Sequence, residues 1–269
     1  MPGQRAERYT LGMAQEVLSS IDGHIATIIL NRPDKRNALT SGMCQEMHAI
    51  VQRLSADPAI RVIVVRGAGS AFCAGLDLRE MATQRAQGTA ELAPLEQLLE
   101  TLDVCPQPTI AAVQGDAVAG GCELALHADL RVAADTARFS MPLARIGLAV
   151  PVALTWKLVD MIGMARTKEM LFTGDAIGAE QAVQLGLANR LVPASDLEGA
   201  VSALARQIAD NAPLSVRAMK AFVQRTVAHR RELRRDDLED LARRVGASQD
   251  LQEGLAAQRE RRRAIFRGE

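Results

Sequence analysis

Two stretches of this chain pass from a buried-strand pattern directly into a cluster of small residues. This pairing limits the possible fold more than any other feature. The apolar run Val62 to Val65 ends at Arg66-Gly67 and leads to Ala71-Phe72-Cys73-Ala74-Gly75-Leu76-Asp77-Leu78. The run Thr109 to Val113 leads to Val118-Ala119-Gly120-Gly121-Cys122-Glu123-Leu124-Ala125 and then to a helical pattern. Short continuous apolar runs of this kind read as buried strands. Small residues at the exit of a strand let a ligand approach the backbone, and a helix N-terminus there offers unpaired N–H groups. Two such N–H groups converging on one point would form an oxyanion hole. Glu123, just inside the second helix, would set a carboxylate beside it.

The remaining pattern supplies an α/β framework. Val17 to Ser20 and Ile25 to Leu30 read as strands joined by the Asp22-Gly23 turn. Thr40 is expected to cap a helix from Ser41 to Leu54, with Met43, Met47, Ile50, Val51 and Leu54 on one face. Residues 79 to 93 are weakly patterned and are expected to be mobile. Leu95 to Val104 reads as a helix stopped by Pro106-Gln107-Pro108. A helix over Gly120 to Ala128 and a strand over Leu130 to Ala133 follow. Helices are then expected over Pro151 to Met161, Thr167 to Phe172, Ala179 to Leu185 and Leu197 to Asn211. From Pro213 the pattern is helical throughout, with Leu214, Met219, Phe222, Val223, Val227, Leu238, Leu241 and Val245 among alternating charges. Strands alternating with helices predict an α/β core, and 269 residues suffice for one domain with a helical extension.

Composition removes several classes of function. Lys plus Arg and Asp plus Glu each total 32, so no bulk charge points to nucleic acid or a membrane surface. Aromatic residues make up 3%, too few for base-stacking platforms. Cys44, Cys73, Cys105 and Cys122 form no C-x-x-C pair, and their wide spacing gives no metal signature. They read as free buried thiols in a reducing compartment. Cys122 has no local base and reads as a packing residue rather than a nucleophile. His127 lies four residues after Glu123 on the same helix and reads as structural. No apolar run reaches the roughly 20 residues of a membrane span. Met1 to Thr10 lacks a secretory apolar stretch, and Glu7 and Glu16 argue against a transit peptide. A cytoplasmic location is expected. Gly67-Ala68-Gly69-Ser70-Ala71-Phe72 puts Phe72 in the last glycine position of G-x-G-x-x-G and lacks the βαβ context, so a nicotinamide cofactor is not expected.

The two small-residue segments resemble signatures of the crotonase (enoyl-CoA hydratase/isomerase) superfamily. Further segments match in order: Asn31-Arg32-Pro33-Asp34-Lys35-Arg36-Asn37-Ala38-Leu39, the stretch from Gly115 to Asp129, and Leu171-Phe172-Thr173-Gly174-Asp175 with Ala179-Glu180-Gln181-Ala182 and Gly186-Leu187. The ending Glu260-Arg261-Arg262, with Phe266 beyond, is similar to the family's closing basic segment. The resemblance implies a spiral of ββα units over residues 1–200 and a helical C-terminal region over 201–269 that serves oligomerisation and completes the coenzyme A site.

It also implies site residues. The oxyanion-hole amides would be those of Leu76 and Gly120, holding the enolate-like oxygen of an acyl-CoA thioester. Glu123 matches the first of the two glutamates used by the family's hydratases. The second normally follows the proline of a Phe-x-x-Pro-Glu segment. Here that segment is Phe139-Ser140-Met141-Pro142-Leu143, and Leu143 cannot move a proton. Glu123 is thus expected to be the only indispensable acid–base carboxylate, with its helix dipole favouring the ionised form; Asp129 and Asp77 are candidate substitutes that read as structural. Leu143 and Arg145 would border the substrate. Lys35, Arg36, Ala38, Ala74, Asp77, Leu78 and Gly121 would hold coenzyme A. One or two arginines of the closing segment could add to its phosphate contacts.

The implied partner is an acyl-CoA, with coenzyme A carried by the substrate and no separate cofactor, metal, nucleic acid or membrane. The implied assembly is a homotrimer or a dimer of trimers. The implied activity is enoyl-CoA hydration. Double-bond isomerisation, thioester hydrolysis, decarboxylation and non-catalytic acyl-CoA binding stand as alternatives.

Overall fold

The computed structural model describes residues 15–87, 93–231 and 243–267. The larger sheet comprises β1 (Val17–Asp22), β2 (Ile25–Leu30), β3 (Val62–Gly67), β4 (Thr109–Val113), β6 (Leu130–Ala134) and β9 (Arg190–Val192), in the order β1-β2-β3-β4-β6-β9. A smaller sheet holds β5 (Asp116–Val118), β7 (Arg138–Ser140) and β8 (Ile177–Gly178). β1 and β2 pair antiparallel across the expected turn, with Asp22 opposite Ile25. Every later pairing in the larger sheet is parallel.

The alternation of side chains explains why the central strands read as unbroken apolar runs. Ile63, Val65, Ala111 and Val113 pack with residues of α1 (Ser41–Ala56), α3 (Ala93–Val104) and α4 (Gly120–His127). Their neighbours Val62, Val64, Ile110 and Ala112 pack on the other face against Leu197, Val201 and Leu204 of α7 (Leu197–Ala209). Both faces of a parallel sheet are covered, so Val62 to Val65 and Ile110 to Val113 are apolar without a break. α1 starts where expected: Thr40 Oγ1 accepts the Met43 N–H at 3.1 Å.

The chain advances in ββα turns. β4, β5 and α4 form one; β6, β7 and α5 (Val152–Thr173) form the next. Each turn contributes its first strand to the larger sheet and its second to the smaller. Cys73 bridges Ala117 of β5, and Leu76 bridges Leu39. Residues 73–76 therefore occupy the second-strand position of the turn begun by β3. This geometry brings the two small-residue segments side by side, in agreement with the expected spiral.

Several elements differ from the sequence expectation. Residues 78–86 form a helix, α2 (Leu78–Ala86), where a mobile stretch is expected. Its apolar content is low and Met81 is its buried anchor. It is set instead by polar contacts: Asp77 Oδ1 accepts the Arg79 N–H at 3.1 Å, and Glu80 accepts the Ser41 N–H at 3.0 Å. The two helices expected between Pro151 and Phe172 are both present, as the two halves of α5 on either side of a non-helical Gly163 (φ +73°). Strands β5 and β7 to β9 are two or three residues long and give no readable periodicity. Beyond α6 (Ala179–Leu185) and α7 come α8 (Pro213–Arg231) and α9 (Gln249–Glu260). Leu238 and Leu241 lie outside the described residues. Among the described residues, no helix is long and apolar enough to cross a membrane.

Candidate active site

The site forms where residues 73–78 lie against the N-terminus of α4. Leu39 N donates to Gly75 O at 2.8 Å and accepts, through its own carbonyl, the Asp77 N–H at 2.8 Å. These bonds pin the residues on either side of Leu76 and leave the Leu76 N–H without an acceptor among the described residues. Gly120 is the first residue of α4, so its N–H has no intrahelical partner. The two groups are close: a Cβ on Gly120 would stand 3.6 Å from Leu76 N. Gly75 makes this approach possible. Its φ of +89° suits glycine, and a Cβ there would stand 2.8 Å from Val118 O. Ala119 turns the chain into α4 with φ +49° and ψ −120°, a strained conformation for a residue bearing a Cβ.

Both N–H groups border a cavity of about 410 Å³. Ala74, Leu78, Glu123, Leu143 and Arg145 share its wall, with Leu95, Leu99 and Leu148 adding apolar surface. Leu143 lies in a short 3-10 turn, Pro142–Ile146, and packs against the main core. Arg145 is steered by the end of α5: it donates to Thr173 O at 2.9 Å and pairs with Asp175 at 2.6 Å. Arg262 of the closing segment also reaches the wall, with its charge met by Glu253 and Glu260, both at 2.6 Å.

Glu123 sits in the first turn of α4 and is buried. Burial pushes its carboxyl up to about 7, and the negative charge of Glu96 adds to the rise; Lys157 offsets part of it. Burial thus opposes the ionised form that the helix dipole favours. A helix terminus favours a carboxylate by only about 0.3–1 kcal/mol, while one pKa unit corresponds to about 1.4 kcal/mol. Desolvation in an apolar wall outweighs the dipole.

Glu96 is the residue that reading the sequence misses. It lies in the first turn of α3, and it lines the same cavity as Glu123. The only linear signal is its place beside the apolar stripe Leu95, Leu98, Leu99 and Leu102.

Other expected residues fall elsewhere. Lys35, Arg36, Ala38, Asp77 and Gly121 are not in the cavity wall. Arg36 pairs with Asp116. The Ala38 carbonyl accepts from Arg32 at 2.7 Å, and Asp77 pairs with Arg32 at 3.2 Å while capping α2. Gly121 is a packing position, where a Cβ would stand 2.2 Å from Cys73 O. The Cys122 thiol is pushed up to about 12 by burial, which suits packing rather than nucleophilic attack. His127 Nδ1 donates to the Glu123 carbonyl at 2.8 Å, a structural bond within α4.

The segment that presents Leu76 is stitched by Asn37, which is fully buried. Its Nδ2 donates to the carbonyls of Ala68, Ala71 and Phe72 at 2.8, 2.9 and 3.2 Å. Its Oδ1 accepts the Arg32 N–H at 3.0 Å. Asn37 has φ +56°, a conformation asparagine tolerates better than most residues.

The enoyl-CoA hydratase/isomerase family model matches residues 20–269. Carnitinyl-CoA dehydratase of Proteus mirabilis is 35% identical over 265 residues, covering 95% of this chain and 100% of that protein. Short-chain-enoyl-CoA hydratase of Clostridium acetobutylicum is 32% identical over 211 residues, covering 78% of this chain and 81% of its own length. A structure of methylmalonyl-CoA decarboxylase in complex with 2-nitronate-propionyl-CoA superposes with a TM-score of 0.87 at 27% identity, covering 96% of this chain and 100% of that one. The chain belongs to the enoyl-CoA hydratase/isomerase family and has the crotonase fold.

Proposed function

We propose that this protein adds water to the double bond of a 2-enoyl-CoA thioester. The observation that carries the proposal is the close approach of Gly120 to the Leu76 N–H beside one cavity whose wall also holds Glu123. The thioester oxygen accepts from both amides. As water attacks the β-carbon, negative charge moves onto that oxygen, and each preset donor lowers the barrier by about 3–4 kcal/mol. Glu123 exchanges a proton with the reacting atoms. Leu95, Leu99, Leu143 and Leu148 give the acyl chain an apolar wall. Ala74 and Leu78, with Lys35, Arg36, Ala38 and Asp77 outside the cavity wall, form the coenzyme A side in this reading, and Gly121 serves it by packing behind them. The hydratase and dehydratase names of the two relatives above support it.

The assay is crotonyl-CoA in H₂¹⁸O, followed by mass spectrometry of the products. Label in a β-hydroxyl is the expected result. Label in a free acid would mean hydrolysis and would end the hydratase reading. The superposition on a methylmalonyl-CoA decarboxylase gives a second reading, loss of CO₂ from a malonyl-type thioester. The wall carries Arg145 and Arg262 beside Glu96 and Glu123, and the hydratase and dehydratase relatives favour the first reading. A methylmalonyl-CoA arm in the same assay should release no CO₂.

We also propose that the helical region from residue 201 builds a trimer or a dimer of trimers. Leu214, Met219, Phe222 and Val223 of α8 are 79%, 56%, 69% and 66% exposed in the isolated chain. An apolar cluster of that kind on a soluble surface marks an interface. Multi-angle light scattering at micromolar concentration should give three or six copies; a monomer would refute the assignment.

A further inference from the structure

We infer that Glu96 is the second proton-transfer carboxylate of this active site, acting from α3 where the motif position on the other wall holds Leu143. The inference rests on the hydratase reading. Addition of water needs one group to take a proton from water and another to deliver one to the α-carbon. Leu143 can do neither. Among the described residues, Glu96 and Glu123 are the acidic side chains in the cavity wall.

The placement of Glu96 is set by packing. Its neighbour Leu95 reaches the oxyanion hole: a Cβ on Gly120 would stand 3.2 Å from Leu95 Cδ2. Leu95 and Leu99 line the same wall one turn apart. Glu96 follows Leu95 in the first turn of α3 and lines the same cavity as Gly120 and Glu123. It is exposed, and it has no hydrogen-bond or ion-pair partner among the described residues. The two carboxyls are near enough for the charge of Glu96 to add to the burial-driven rise of Glu123.

The two environments divide the work. Glu96 is open to water, so a water molecule can reach it. Glu123, buried, holds its proton up to about pH 7. The Glu96 carboxylate takes a proton from water while the water oxygen bonds to the β-carbon. The π electrons of the double bond move to give an enolate held by Leu76 and Gly120. The Glu123 carboxyl gives its proton to the α-carbon as the enolate collapses. One water has been added, Glu96 carries a proton and Glu123 does not. Transfer of one proton through solvent restores the starting state.

The test uses the full-length protein with Glu96→Gln and Glu96→Asp, crotonyl-CoA as substrate and butyryl-CoA as a binding probe. Glu96→Gln should lower kcat about 100-fold or more, with KM and the butyryl-CoA Kd changed only a few-fold. Glu96→Asp keeps the carboxyl one methylene short and should recover at least about a tenth of the lost rate. If Glu96→Gln keeps more than about a third of kcat, the inference is wrong. It is equally wrong if Asp and Gln lose rate to the same extent, since the carboxyl would then not be what matters. A wild type that hydrates no enoyl-CoA would overturn the functional reading itself and this inference with it; hydration that survives Glu96→Gln would overturn the inference alone.

Discussion

Glu123→Gln should lower kcat for crotonyl-CoA hydration by about 10³-fold, within the range for a positioned acid–base group. The butyryl-CoA Kd should stay within a few-fold, because the amides of Leu76 and Gly120 and the apolar wall are untouched. Gln is nearly isosteric, so the loss reports chemistry rather than packing. The same substitution should stabilise the fold in alkaline solution. Burial lifts the Glu123 carboxyl from 4.5 to about 7. A carboxyl whose value is higher folded than unfolded binds its proton more tightly in the native state. Stability is therefore lost as pH rises, beginning near 4.5 and complete above about 7. Glu123→Gln removes that penalty. Its Tm should exceed wild type at pH 8 and match it near pH 4. Equal Tm at both pH values would show that Glu123 is not desolvated as described, and full activity in the variant would refute its place in the chemistry.

Legibility in the sequence follows from how local each cause is. Val62 to Val65 and Ile110 to Val113 are readable because strand positions covered on both faces are apolar in succession. Leu76 and Gly120 are readable for a related reason. The meeting of their two segments is a backbone feature, and the small residues that permit it are adjacent in the chain. Glu123 is readable as a position but not as a charge state. Its proton affinity is set by burial, by Glu96 on α3 and by Lys157 on α5, and these distances exist only after folding. Glu96 is harder still. Its place arises from the packing of α3 on α4, and nothing in its own window sets it apart from a solvated helix acid. α2 escapes an apolar-period reading because Asp77 and Glu80 hold it through polar bonds. The short strands β5 and β7 to β9 are shorter than any period that could announce them.

Asn37→Ala should destabilise the protein by about 3–5 kcal/mol and lower kcat as well, although Asn37 does not border the cavity. Asn37 is fully buried and makes four hydrogen bonds, three of them to the 68–72 segment that leads to Leu76. Alanine would leave the Ala68 and Phe72 carbonyls and the Arg32 N–H without this partner. Each buried polar group left unsatisfied costs about 1–3 kcal/mol. Ala71 O loses less, because Gln114 Nε2 also donates to it at 2.7 Å. Alanine is also less at ease than asparagine at φ +56°. The route to function is geometric. The Ala74 N–H is tied to Arg36 O at 2.9 Å and the Cys73 thiol to Asn37 O at 3.1 Å, so slack at Asn37 passes along the strand to the Leu76 amide. Urea unfolding at pH 7, paired with crotonyl-CoA kinetics below the new midpoint, measures both effects. A loss under about 1 kcal/mol would mean water or backbone rearrangement replaces these bonds. A large loss of stability with unchanged kcat would mean that the Leu76 amide is held by Leu39 and α4 alone.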